Sequence, residues 1–259
     1  SGSHRDEPDE RSSNEVVDQE LEDVFSTAEL DKKEAVVGEQ IKYSYKLFRR
    51  VHLVGQPRFE PPTFENFLTE QLPPEKTYYQ DVRGQRYVVS EINVALFPTQ
   101  AGELTIQGAK LQCRIQTARS RRDPFSWFDD PSSFFDEDLF GSISGEEVIL
   151  KTRPIKINVL SLPKNHQSTS YSGGVGHFEM NVSLDKKETT VGSPLTLTLV
   201  IKGDGNLQSI SGPDIKIGDK FKIYDSGETS DIKTDNGIVH GKREIKKVLI
   251  PQEAGSLTI

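Results

Sequence analysis

Five histidines and one cysteine are the side chains here best suited to bind a metal or move a proton near neutral pH. None stands in a pattern that does either. His4, His52, His166, His177 and His240 have no histidine partner two to four residues away and no cysteine beside them, so no zinc spacing exists. There is no Gly-x-Ser-x-Gly elbow and no Walker loop. Gly203-Asp204-Gly205-Asn206 resembles a phosphate loop in composition but lacks the Lys-Ser/Thr pair and a following helix, and it reads as a tight turn. Cys113 alternates with Leu111 and Ile115, which suits a buried strand position, and no nearby histidine lowers its pKa. Asp129, Asp130, Asp136, Glu137 and Asp138 form an acidic cluster. Calcium needs about six to eight oxygens, and this spacing matches no Asp-x-Asp-x-Asp-Gly loop. A solvated acidic loop is the reading. The expectation is a protein that is not an enzyme and takes no cofactor and no metal.

The same loop is unusual for its aromatics. Asp123-Pro124-Phe125-Ser126-Trp127-Phe128 is followed by Phe134-Phe135 and Leu139-Phe140, which brings together the single tryptophan and five of the thirteen phenylalanines. Loops carry so many large rings only when these pack against something. They either fold back over their own module or anchor a partner protein or a membrane surface. The acidic neighbours disfavour an anionic membrane. The candidate partner-binding residues are Asp123, Pro124, Phe125, Trp127, Phe128, Phe134, Phe135 and Phe140. A second aromatic-basic group, Arg49, Arg50, Phe59 and Phe64 around Pro57, Pro61 and Pro62, reads as a rigid extended connection that packs the end of a sandwich.

These segments hang on a chain that repeats itself. Leu30-Asp31-Lys32-Lys33-Glu34 recurs as Leu184-Asp185-Lys186-Lys187-Glu188, and Val37-Gly38 as Val191-Gly192. Pro98, Ala101-Gly102 and Leu104-Thr105-Ile106 recur as Pro251, Ala254-Gly255 and Leu257-Thr258-Ile259, with Gly84 and Gly237 in that second register. The two offsets differ by a single residue. Each copy alternates apolar and polar residues: Ile41, Tyr43, Tyr45 and Leu47 in the first, Leu195, Leu197, Leu199 and Ile201 in the second. Phe178, Met180, Val182 and Leu184 form another such run, and Ile155, Ile157 and Val159 suit a closing strand of the first copy. Asp235-Asn236-Gly237 is a hairpin turn, and Pro-x-x-Ala-Gly a corner between strands. The fold class is all-β: two tandem Ig-like β-sandwich modules.

The expected organisation is a disordered acidic leader over 1–24, with nine acidic residues against two arginines, in which Ser1 to His4 read as an expression scar. An Ig-like sandwich over 25–162 follows, interrupted at about 116–147. A linker covers 163–176, and a second sandwich runs over 177–259. Because the second copy stops at Ile259, the counterpart of Ile106, it is expected to be truncated at its C-terminal end and to show an open edge, with an edge-strand dimer as one consequence. The chain has 259 residues and a net charge of −8, with 34% hydrophobic residues and no apolar run long enough for a membrane helix. That charge repels nucleic acid.

Several blocks carry a family resemblance. Val37-Gly38-Glu39-Gln40 leads into Tyr43-Ser44-Tyr45-Lys46-Leu47. Tyr79 runs through Gly84-Gln85-Arg86-Tyr87 to Leu96-Phe97-Pro98. Asp-Pro-Phe-x-x-Phe stands at 123–128. Ser172-Gly173-Gly174-Val175-Gly176-His177-Phe178 precedes Val191-Gly192 and Gly203-Asp204-Gly205-Asn206-Leu207. In order and spacing these resemble the BatD-type oxygen tolerance (aerotolerance) proteins of bacteria, over about residues 25–259, as an internal segment. The resemblance implies a periplasmic or extracytoplasmic string of Ig-like modules, held to the membrane by a C-terminal anchor not present here. It also implies a non-catalytic envelope scaffold acting with MoxR-type ATPases and von Willebrand factor A domain proteins of the same operon. The competing reading is a carbohydrate-binding or adhesin-like surface module, which one tryptophan in a phenylalanine-rich loop fits poorly.

Overall fold

Alternating apolar residues along nearly every segment leave β structure as the way to bury one face of each, and strands are what form. The computed structural model describes residues 22–116, 145–163, 172–213, 215 and 220–256. The first module holds β1 (Val24–Leu30), β2 (Glu34–Val36), β3 (Ile41–Arg49), β4 (Leu53–Glu60), β5 (Phe67–Val82), β6 (Gln85–Pro98), β7 (Gly102–Ile106), β8 (Lys110–Gln116), β9 (Gly145–Lys151) and β10 (Ile155–Leu160). The second holds β11 (Gly176–Leu184), β12 (Leu195–Gly205), β13 (Phe221–Asp235) and β14 (Ile238–Pro251).

In the first module β1-β3-β6-β5 make a four-stranded sheet. The facing layer is divided into β4-β8-β9 and β2-β10-β7. Ile41, Tyr43, Tyr45 and Leu47 of β3 meet Leu111 and Cys113 of β8 and Ile157 and Val159 of β10 in one buried cluster. Cys113 is 4% exposed, and burial pushes its thiol up, away from the thiolate. β10 is the closing strand expected at Ile155, Ile157 and Val159, parallel to β2 and antiparallel to β7. Phe59 lies against Tyr45 with ring centroids 4.6 Å apart and Phe64 against Tyr43 at 5.2 Å, so these aromatics pack the sandwich. The proline-rich stretch is not wholly a connection, because Pro57 sits inside β4 where the register with β8 shifts between Val54 and Arg58. A proline cannot donate to the ladder, and a bulge is where a strand tolerates one.

The second module repeats the geometry. The Asp31 N–H donates to Lys42 O at 3.0 Å and the Lys42 N–H to Asp31 Oδ1 at 2.8 Å. Asp185 and Thr196 reproduce both bonds at 3.0 and 2.7 Å. The Gly38 N–H reaches Pro98 O at 2.8 Å, as Gly192 reaches Pro251 at 2.9 Å. Both long hairpins turn on two residues of positive φ: Arg83 (48°) and Gly84 (78°) in one, Asn236 (50°) and Gly237 (81°) in the other. That pairing matches the strand twist of a two-residue hairpin. Pro98 and Pro251 each end a long strand at the expected corner.

Three expectations are modified. Val24 already belongs to β1 and is 5% exposed, so the end of the stretch read as leader is part of the first module; residues 1–21 lie outside the described residues. Gly203-Asp204-Gly205 is not a tight turn but the end of β12. Asn206 then caps a single 3-10 turn, Leu207–Ser209, by accepting the Ser209 N–H. Met180, Val182 and Leu184 do alternate on β11, yet they remain 58%, 50% and 37% exposed. Among the described residues the second module has one sheet, β11-β12-β14-β13, and its core is closed by Leu207 and Ile210.

Leu96 and Leu249 occupy the same register of the repeat, and both are fully buried. Leu96→Ala and Leu249→Ala should each cost about 3 kcal/mol, the usual loss for a buried leucine that leaves a cavity. Urea unfolding measures both, and a loss below about 1 kcal/mol at either site would contradict the shared packing.

Candidate functional site

The outer face of β6 organises the site. Alternation puts Tyr87, Val89, Glu91, Asn93, Ala95 and Phe97 on the side away from the sandwich core. At one end Phe25, Phe48 and Tyr87 form an aromatic cluster, with Phe25 stacked on Phe48 at 4.6 Å. In the middle lies a polar ladder. The Tyr78 hydroxyl donates to Glu91 Oε2 at 2.8 Å, Asn93 Nδ2 to Glu91 Oε1 at 3.0 Å, and the Ser44 hydroxyl to Asn93 Oδ1 at 2.6 Å. Burial pushes the Glu91 carboxyl up. The Tyr78 and Asn93 donors and the charges of Lys46 and Lys42 outweigh that and hold it below the ordinary carboxylate range. Burial and the same carboxylate push the Tyr78 hydroxyl up to about 12. Glu91 is thus a filled acceptor, suited to tying strands together and poorly suited to taking a proton.

At the other end Leu72, Ala95 and Phe97 pack against Val239 and Ile232 of the β13–β14 hairpin, so the second module covers the outer sheet face of the first. Gln40 completes the joint. Its Nε2 donates to Gly237 O at 2.7 Å and its Oε1 accepts the Val239 N–H at 2.9 Å. A side-chain amide thus bonds the hairpin as a neighbouring strand would. Glu39 holds this corner, accepting the Val36 N–H at 2.9 Å and Lys32 Nζ at 2.7 Å. Burial raises its carboxyl, and Lys32 with the Val36 amide brings it below the usual range. The Gly-rich run 173–176 lies against the end of β12. A Cβ on Gly203 would come within 1.9 Å of His177 O, and one on Gly176 within 2.1 Å of Asp204 O. Only glycine permits that approach. The part of the expected linker that is described therefore packs tightly; residues 164–171 lie outside the described residues. A groove of about 480 Å³ runs along the junction between Asp31, Lys42, His177, Asp204 and Asn236.

The candidate partner-binding residues Asp123, Pro124, Phe125, Trp127, Phe128, Phe134, Phe135 and Phe140, and the acidic cluster 129–138, lie outside the described residues. Their attachment points do not. Gln116 ends β8, Gly145 begins β9, and the two are register partners, so the insertion enters and leaves at one place. The Gln116 N–H donates to His52 O at 2.9 Å, and Val24 pairs with Arg49. β3 runs from Ile41, beside Gln40, to Arg49, about 30 Å at the usual rise per residue. The insertion and the N-terminal segment are therefore both attached at the end of the first module remote from the second. Among the described residues, no group of three or more His, Cys, Asp or Glu side chains is placed to hold a metal ion. The inter-module joint had no part in the sequence expectations. Its one trace is the run Val94-Ala95-Leu96-Phe97, where alternation gives way because both faces are covered.

The family model described as "BatD DUF11 like domain" matches residues 28–123 and 182–259, two segments that each contain one copy of the Leu-Asp-Lys-Lys-Glu repeat. No curated protein matches the chain. A solved structure, the type II cohesin dyad from the adaptor ScaA scaffoldin of Acetivibrio cellulolyticus, aligns with 89% of this chain and 86% of its own, at 10% identity and a TM-score of 0.19. So low a score carries nothing about fold or function. Among the described residues no helix is long and apolar enough to cross a membrane.

Two outcomes test the geometry. Gln40→Glu keeps the acceptor for Val239 N–H but sets a carboxylate oxygen against the Gly237 carbonyl; it should weaken the coupling of the modules by about 1–3 kcal/mol. Calorimetry would then show their unfolding transitions drawing apart, and an unchanged single transition would contradict the clamp. Tyr78→Phe should raise the Glu91 carboxyl towards its ordinary range. A carboxyl depressed in the folded state stabilises above its unfolded value, and that contribution is lost as pH falls through its folded value. The variant should therefore be less stable at neutral pH, with the difference closing in acid. Carbon NMR titration of Glu91 reads the shift directly.

Proposed function

The chain belongs to the BatD family, and on that premise we propose that it works as a non-catalytic interaction scaffold of the bacterial cell envelope within the aerotolerance system. The observation that carries the reading is the joint between the modules. A hinge would suit a protein that closes on a substrate, whereas hydrophobic packing at Phe97 and Val239 with a two-bond clamp at Gln40 suits one that holds partners at fixed spacing. The distal end of the first module, where the insertion is attached, is the partner-facing end in this reading. Phe125, Trp127 and Phe128 are the anchors, since aromatics give large contact area at modest entropic cost. The partners it fits are von Willebrand factor A domain proteins encoded in the same operon. An extracytoplasmic address and a membrane anchor elsewhere in the full protein complete the proposal. Catalysis has no place in it, because the polar groups in the ladder and at the joint are occupied in bonding strands to each other.

Replacing Phe125, Trp127 and Phe128 together by alanine should weaken binding to the purified von Willebrand factor A domain at least about tenfold, the effect of losing hot-spot aromatics, with the melting temperature unchanged. Unchanged affinity would remove the insertion from the binding surface. A collapse in melting temperature would show that the rings cover their own module instead.

A further inference from the structure

The stretch from Tyr79 through Gly84-Gln85-Arg86 has no part in the joint or in the polar ladder, and it carries the most exposed aromatic ring among the described residues. β3 ends at Arg49, and the β5–β6 hairpin runs on past it to the turn at Arg83 and Gly84. Register places Arg49, Val88 and Tyr79 in one row across β3, β6 and β5. Val94 and Leu96 face the sandwich core, so alternation puts Val88 and Arg86 on that same side, past the last core residue of β6. Tyr79 is 66% exposed, and the Arg86 guanidinium lies over its ring at 4.5 Å. Asp81 is the register partner of Arg86 and the one carboxylate on this face at this end of the hairpin, yet the guanidinium sits on the ring. Arg49, Arg83 and Arg86 form no ion pair among the described residues, in a chain whose net charge is −8.

We propose that this row binds an extended acidic segment of a partner protein, with carboxylates at alternate positions. Arg49 and Arg86 stand one strand apart and two residues along, about 8 Å between backbones at the usual spacings. Carboxylates two residues apart on an extended chain are about 7 Å apart and point to one side, so a single segment meets both arginines. A guanidinium holds a carboxylate through two parallel N–H donors, and stacking on Tyr79 uses the face of Arg86 while leaving that fork free. Tyrosine and arginine are also the side chains that most often carry the energy of an interface. The net charge of the chain repels a long phosphate polymer, whereas a short acidic segment meets only the local row of unpaired cations. The site stands on described strands and takes this ligand whether or not the rings of the insertion anchor a partner, so it goes beyond the scaffold reading.

The probe is a fluorescein-labelled peptide of alternating glutamate and threonine, titrated with the intact chain at low salt and followed by anisotropy. Arg49→Gln and Arg86→Gln should each weaken its binding at least about tenfold, as the loss of a charge-assisted pair does. Lys222→Gln, which removes an exposed cation of the second module, should leave binding unchanged. In the unsubstituted chain the largest amide shifts on adding the peptide should fall at Arg49, Tyr79 and Arg86, a readout that needs no variant. Any of four results overturns the proposal: no binding, equal binding of the glutamine–threonine peptide, equal loss in Lys222→Gln, or amide shifts that pass this row by. Two more overturn the occupant. Tighter peptide binding when Asp129, Asp130, Asp136, Glu137 and Asp138 are replaced by their amides would make it the chain's own insertion. Tighter binding of polyphosphate, with the same dependence on Arg49 and Arg86, would make it a phosphate polymer.

Discussion

Burial of β6 on both faces is the constraint on which the rest of the structure depends. A strand in a two-layer sandwich normally buries one face and wets the other, and its sequence alternates accordingly. Over Ala95-Leu96-Phe97 three consecutive residues are almost wholly buried. Leu96 faces the core of the first module, and Ala95 and Phe97 face outward against Val239. The exposed outer face of an isolated first module would present that apolar patch to water, and the β13–β14 hairpin removes it. The second module is thus a structural part of the first, joined by contact that is hydrophobic at its centre and hydrogen-bonded at its margin through Gln40.

Much of this fold was legible in the sequence because the period-2 pattern is strong. The repeat of Asp31 and Asp185, of Gly38 and Gly192, and of the two glycine-bearing hairpins maps onto equivalent hydrogen bonds and dihedral angles. Those residues were readable because each satisfies a local requirement: an acceptor for a nearby amide or a positive φ. The Gly203-Asp204-Gly205 stretch departs from its local pattern for the opposite reason. Its glycines answer to the close approach of the chain at His177 and Val175, remote in sequence, and a local reading assigns them to a turn.

The joint itself was hidden for a similar reason. Gln40 is a polar residue between a turn and a strand, and nothing local distinguishes it from a solvated one. Its function appears only when Gly237 and Val239 are brought beside it. The blocks that carry the family resemblance become intelligible in this light. Gln40 bonds the hairpin of the second module and Gly38 lies against Val175, whereas the glycines of 173–176 and 203–205 allow close packing within the second module.

If the modules are one rigid unit, they tumble and align as one body. Residual dipolar couplings of backbone amides test this most directly, by fitting separate alignment tensors to the strands of each module in a single weakly aligned sample. The account predicts tensors equal in magnitude, rhombicity and orientation in the frame of the structure. Tensors of different magnitude, or a markedly smaller one for the second module, would show that the modules move independently and would contradict a fixed joint.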